Sequence, residues 1–203
     1  MKLIGMLDSP YVRRVAISAK CLGIPLEHES VSVFRNFEQF QQINPVVKAP
    51  TLVLDDGEVL MDSTLIIDYL EALAAPGKSL ISDNPDRRLR SLRLIGLALA
   101  VCEKSVQLYY ERNLRPAEIQ YAPWVKRVEG QLAAAYSALE RELEKQPLKT
   151  DGSIAQDGIS LAVAWSFTNL VVPDQVEAKQ FPRISAFTAY AEGLEVFVDT
   201  PIE

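Results

Sequence analysis

Leu3-Ile4-Gly5-Met6-Leu7-Asp8-Ser9-Pro10-Tyr11-Val12-Arg13-Arg14-Val15-Ala16-Ile17 decides the fold of this chain. The short apolar run Leu3–Leu7 reads as a strand. It feeds directly into a segment with apolar residues at helical spacing, Val12 to Leu22, which stops at Gly23, a good helix terminator. Ser9 therefore stands at a helix N-terminus, where backbone N–H groups point outward and negative charge is favoured. Its hydroxyl cannot exchange disulfides, but it can donate a hydrogen bond to an anion supplied by something else.

Working outward, Leu26 to Val33 alternates and predicts a second strand, with His28, Ser30 and Ser32 on one face. Phe37 to Gln42 predicts a short helical turn. Thr51–Leu54 predicts a third strand, Asp55-Asp56-Gly57 a hairpin turn, and Glu58–Met61 the returning strand. Ser63 to Leu73 has the period of an amphipathic helix, with Asp62 or Ser63 as its cap. The order β-α-β, connector, β-β-α suits an α/β thioredoxin-like domain over residues 1–75. Ala74-Ala75-Pro76-Gly77-Lys78 shifts composition, so 76–82 predicts a linker. From there the pattern is helical: Arg87 to Tyr110, Trp124 to Glu144, Ile159 to Leu170 behind a capping-box spacing Ser153 to Gln156, and Pro182 to Glu192. Residues 83–203 predict an all-α helical bundle.

The bulk numbers narrow the class. A net charge of −6 and a pI near 5.0 argue against nucleic acid or an anionic membrane surface as the main partner. Two distant cysteines and one histidine make a zinc site of ordinary composition unexpected, and no metal is expected. No apolar run has the length of a membrane span and no signal peptide is expected, which leaves the cytoplasm as the default location. Cys21 and Cys102 lie on apolar helical faces and read as core residues.

Two further segments carry chemistry. In Val47-Lys48-Ala49-Pro50-Thr51, a proline cannot donate to a ladder, so Pro50 belongs at the strand's start or in a turn. A cis bond there would turn Ala49's N–H and C=O outward to pair with an extended peptide. In Asp62-Ser63, the helix start can cap itself. It can also hold a carboxylate on Ser63 while Asp62 takes an amino group. A γ-glutamyl group presents both charges on one carbon.

Where glutaredoxin and thioredoxin carry Cys-x-x-Cys, Ser9-Pro10-Tyr11-Val12 looks like the glutaredoxin form without its sulfurs. Ser9-Pro10-Tyr11, Asn44-Pro45-Val46-Val47-Lys48-Ala49-Pro50 and Asp62-Ser63 stand in the order seen in soluble glutathione transferases, and the chain resembles a small bacterial member over its whole length. It departs from the family's usual form at Ala49, where Val or Ile is common, and at Gln156, where an acid is more frequent. The resemblance implies that glutathione is the co-substrate and that Ser9 hydrogen-bonds its sulfur. Ala49, ahead of cis Pro50, pairs with the cysteinyl backbone, Asp62 and Ser63 hold the γ-glutamyl end, and Val47 or Lys48 flanks the glycyl end. It implies conjugation of the thiolate to a small hydrophobic electrophile, as in detoxification, and a homodimer.

The electrophile pocket is the least defined. Tyr11 is a second hydroxyl donor, a wall of that pocket or a packing residue. Phe34, Tyr109, Tyr110, Arg112 and Trp165 are candidate borders, although helical Tyr and Trp are more often core or interface residues. Two other classes of function fit the same motifs: a non-catalytic transferase-like scaffold, and a glutathione-dependent peroxidase in which the attacking sulfur belongs to the ligand.

Overall fold

The computed structural model describes residues 1–202. They form two compact units, one of Met1–Ile81 with the chain's end from Leu194 on, the other Ser82–Gly193.

The first unit holds strands β1 (Lys2–Ile4), β2 (Glu27–Glu29), β3 (Thr51–Val53) and β4 (Val59–Met61), and helices α1 (Pro10–Leu22), α2 (Phe37–Ile43) and α3 (Ser63–Leu73). The sheet order is β2-β1-β3-β4, with β1 parallel to β2 and antiparallel to β3, and β3 antiparallel to β4. This is the expected thioredoxin-like arrangement. The register pairs Leu3 with Leu52 and Leu52 with Leu60, and strand alternation puts all three on one face. The opposite face carries Ile4, which packs with Val31 and Phe40 beside Val33, Ile43 and Val53. Gly23 ends α1 in the left-handed conformation (φ 74°), with its N–H on the Lys20 carbonyl and the Ile24 N–H on Ala19.

All four strands are shorter than predicted, β1 and β2 the most. β1 stops at Ile4 because Gly5 turns the chain at φ 134°. β2 is an exposed edge of three residues, held partly by Lys2, whose ammonium lies 3.2 Å from both Glu27 and Glu29. Beyond it the Ser32 hydroxyl accepts from the Phe34 and Arg35 amides and turns the chain away from the sheet.

The second unit contains α4 (Pro85–Asn113), α5 (Ala122–Lys145), α6 (Gln156–Val171) and α7 (Pro182–Glu192). Asn84 caps α4 by accepting from the Arg87 amide, and Pro85 fills the first helical position. α6 is buried around nearly its whole circumference, so its apolar run marks a central helix rather than an amphipathic one. Tyr136, Trp165 and Phe181 form an aromatic cluster there, Tyr136 and Trp165 meeting edge-on with ring centres 5.3 Å apart.

Three details differ from the sequence reading. The Ser153 capping box does not form: Ala155 is the N-cap of α6, and the Ser153 hydroxyl bonds Asp151 instead. Short 3-10 turns occur at Ala117–Ile119 and Pro173–Gln175. The chain's end, read as part of the helical domain, joins the first unit through helix α8 (Glu195–Val198), which packs on α1. Arg13 anchors it, donating from Nε to the Thr200 carbonyl at 2.8 Å and lying over the Phe197 ring. No helix among the described residues is long and apolar enough to cross a membrane.

Candidate functional site

The turn from β1 to α1 is built by close packing. A Cβ on Gly5 would lie 2.6 Å from Val12 Cγ2 and 3.1 Å from Ala49 Cβ, so only glycine admits this approach. The Ala49 segment thereby lies against the turn that leads to Ser9. Ser9 itself caps α1 with its backbone: its carbonyl accepts from the Arg13 amide at 3.0 Å, and its amide donates to Met6 at 3.2 Å. Its half-buried hydroxyl makes no capping bond. The helix therefore orients Ser9 without consuming its side chain.

The second wall is the loop Asn44–Pro50, braced by one buried side chain. Asn44 donates from Nδ2 to Thr51 Oγ1 at 2.9 Å and accepts from the Val46 amide at 3.0 Å. The Thr51 hydroxyl in turn donates to the Lys48 carbonyl at 2.8 Å. Val47 sits at φ 51°, which for a β-branched residue is a strained conformation costing about 1–3 kcal/mol. The Ala49–Pro50 peptide is cis, with Ala49 half-buried and Pro50 buried.

The third wall is the start of α3. Asp62, at φ 77°, caps the helix by accepting the Thr64 amide at 2.9 Å. Burial pushes its carboxyl up, but the Thr64 amide and the Lys48 ammonium outweigh that and hold it below the ordinary aspartate value. Ser63 is buried and accepts from Arg14 Nη1 at 2.9 Å. Two positive-φ residues and two helix N-termini in one unit make a site suited to an anion next to a cation.

The two bracing residues, Asn44 and Arg14, are absent from the sequence-derived candidates. Asn44 lies within the quoted motif but carries no chemistry of its own. Arg14 is buried on α1 together with Arg13 and Ser18, and a pair of arginines inside the apolar period of Val12, Val15 and Ile17 is the signal that marks it.

The electrophile candidates divide. Phe34 borders a cavity of about 590 Å³ with Met6, Ser30, Ser32, Arg35 and Asp8, the last being next in the chain to Ser9. Tyr11 is half-buried in the first turn of α1. Tyr109 is half-buried and Tyr110 exposed in the helical unit, their rings 6.3 Å apart. Arg112 is engaged by carboxylates, at 2.9 Å from both Asp174 and Glu129, and ties α4 to neighbouring segments. Trp165 is a correction: it is core, enclosed by Tyr136 and Phe181, because α6 runs through the centre of its unit. Among the described residues no cluster of His, Cys, Asp or Glu could hold a metal ion.

Residues 3–79 match the family described as glutathione S-transferase, N-terminal domain. The chain is 30% identical over 175 residues to the GST-like protein YibF of Escherichia coli K12, covering 85% of each chain. It is 30% identical over 147 residues to a maleylacetoacetate isomerase of Pseudomonas aeruginosa, covering 68% of this chain and 69% of that one. Among solved structures, a glutathione transferase family member of Pseudomonas fluorescens Pf-5 with bound glutathione superposes with a TM-score of 0.86 at 28% identity, covering 100% of this chain and 98% of that one. Fold, sequence and near-complete coverage agree, and the chain belongs to the glutathione S-transferase family.

Proposed function

We propose that the protein binds glutathione, stabilises its thiolate with Ser9 and directs the sulfur at a small hydrophobic electrophile. The observation that carries this reading is the uncommitted Ser9 hydroxyl at the N-terminus of α1, beside the Ala49 segment. The glutathione bound by the P. fluorescens relative supports the ligand.

The chemistry follows from thiol acidity. A free thiol has a pKa of about 8.5, and the thiolate is the nucleophile. An O–H donated by Ser9 and the partial positive charge of the α1 N-terminus both favour the anion. The thiol proton leaves to solvent; Ser9 does not act as a base, its own proton being far less acidic. The sulfur then forms a bond to carbon as the leaving group departs with its electron pair, or adds across an activated double bond. Ala49 pairs with the cysteinyl backbone, ahead of Pro50. Asp62 takes the γ-glutamyl amine, Ser63 its carboxylate, and Val47 or Lys48 flanks the glycyl end. Tyr11 and Phe34 border the electrophile on the thioredoxin-like side.

The likeness to an isomerase favours a second reading of the same site, in which the thiolate adds to a conjugated double bond and leaves again. We further propose a homodimer in the cytoplasm, where thiols stay reduced. Leu65, Tyr69 and Leu73 form an exposed apolar stripe at four-residue spacing along α3, which supports a covered face.

Calorimetric titration with glutathione and S-methylglutathione, on the wild type and Ser9→Ala, tests the assignment. Saturable binding is expected, with a loss on Ser9→Ala that largely disappears for the methylated ligand. No binding at millimolar glutathione would leave a transferase-like scaffold.

A further inference from the structure

We infer that Arg14 is a positioning residue that fixes the Ser63 hydroxyl as a donor toward the γ-glutamyl carboxylate. The inference rests on the glutathione reading above.

Arg14 is buried on α1, and α1 packs against α3. Its Nη1 donates to Ser63 Oγ at 2.9 Å and to Thr64 Oγ1 at 3.2 Å, two hydroxyls in the first turn of α3. A guanidinium is donor-only, and a hydroxyl has one proton and two acceptor lone pairs. Ser63 must therefore spend acceptor capacity on Arg14, and its own proton is directed away from that contact. A hydroxyl free to rotate would offer a ligand either its proton or a lone pair; this one is polarised to give the proton. The neighbouring Thr64 amide is taken by Asp62, which leaves the hydroxyls that Arg14 orients, Ser63 at the shorter distance, as donors for an incoming carboxylate.

The bridge also joins the two ends of the site. Arg14 is one residue beyond Arg13, whose amide closes the first turn of α1 on the Ser9 carbonyl. A carboxylate held on Ser63 is thus tied, through Arg14, to the helix that carries Ser9.

The test compares glutathione with its analogue lacking the γ-glutamyl α-carboxylate, 4-aminobutyryl-cysteinylglycine, by calorimetry. Arg14→Gln is expected to weaken glutathione binding about tenfold or more and to leave the analogue's affinity within about twofold. Arg14→Lys keeps the buried charge and a donor on a shorter side chain; its loss should be smaller and again confined to glutathione. This second variant decides the matter if Arg14→Gln does not fold. Equal losses for the two ligands would show a merely structural arginine and overturn the inference. Failure of the wild type to bind either ligand would instead overturn the glutathione reading beneath it.

Discussion

The Lys48 ammonium lies 3.4 Å from Asp62 Oδ2 and joins the loop before β3 to the cap of α3. The family resemblance places Asp62 at the γ-glutamyl end of the ligand and Val47 or Lys48 at the glycyl end. The structure pairs Lys48 with Asp62, and the Asp62 carboxylate is held charged by Lys48 and oriented by the Thr64 amide, as the proposed γ-glutamyl role requires.

Asp62 should titrate below the ordinary aspartate value of about 3.9. A carboxylate held low in the folded state adds stability that is complete above its unfolded value and is lost as pH falls through its folded value. Carboxyl carbon NMR should show this midpoint and an upward shift in Lys48→Met. An unmoved midpoint would mean that the pair at 3.4 Å is screened by solvent.

Gly5→Ala should destabilise the first unit by about 2 kcal/mol, because the added Cβ meets Val12 and the φ of 134° disfavours any side chain. Urea unfolding measures it. In a double-mutant cycle Gly5→Ala should cost less in a Val12→Ala background, where the 2.6 Å clash is gone and the backbone strain remains. An equal cost in both backgrounds would assign the whole of it to φ.

Tyr136 donates to Thr168 Oγ1 at 2.6 Å inside the helical unit, and Thr168 also meets Ser105 at 2.8 Å. Tyr136→Phe should cost about 1–2 kcal/mol by leaving that hydroxyl pair under-satisfied. Burial pushes the phenol well above its ordinary value. Its contribution is therefore complete below the unfolded value of about 10 and is lost as pH rises beyond it. Ultraviolet titration should show one tyrosine ionising only with unfolding, and Tyr136→Phe should remove that step.

Leu65→Glu with Leu73→Glu places two charges on the exposed stripe of α3. If a second copy covers this stripe, sedimentation should change from dimer to monomer with each unit still folded. A wild type that sediments as a monomer would refute the homodimer.

Much of the first unit was legible because its signals are local. A serine and proline after an apolar run marked Ser9 and Pro10 as the start of α1, and Gly23 marked its end. Asp62 before an amphipathic period marked the cap of α3, whose bounds Ser63–Leu73 match the reading. What stayed hidden depends on long-range packing. Arg14 reaches Ser63 across 49 positions, and no periodicity announces a hydroxyl partner at that distance. Trp165 was a candidate pocket border although a helical tryptophan is more often core, and only the burial of α6 around nearly its whole circumference shows it in the core. The Ser153 spacing was a correct pattern in the wrong place, because Asp151 competes for the same hydroxyl and holds it outside the helix. α8 was too short to register as a helix, and only its packing on α1 gives it a place.

The most direct test of the central claim is the ionisation of bound glutathione, followed by thiolate absorbance against pH on the wild type and Ser9→Ala. The bound thiol is expected to ionise well below its free value of about 8.5, with a rise of about one unit or more when the Ser9 hydroxyl is removed. A bound thiol with the same midpoint in both proteins would contradict it, and Tyr11→Phe would then show whether the neighbouring phenol is the donor.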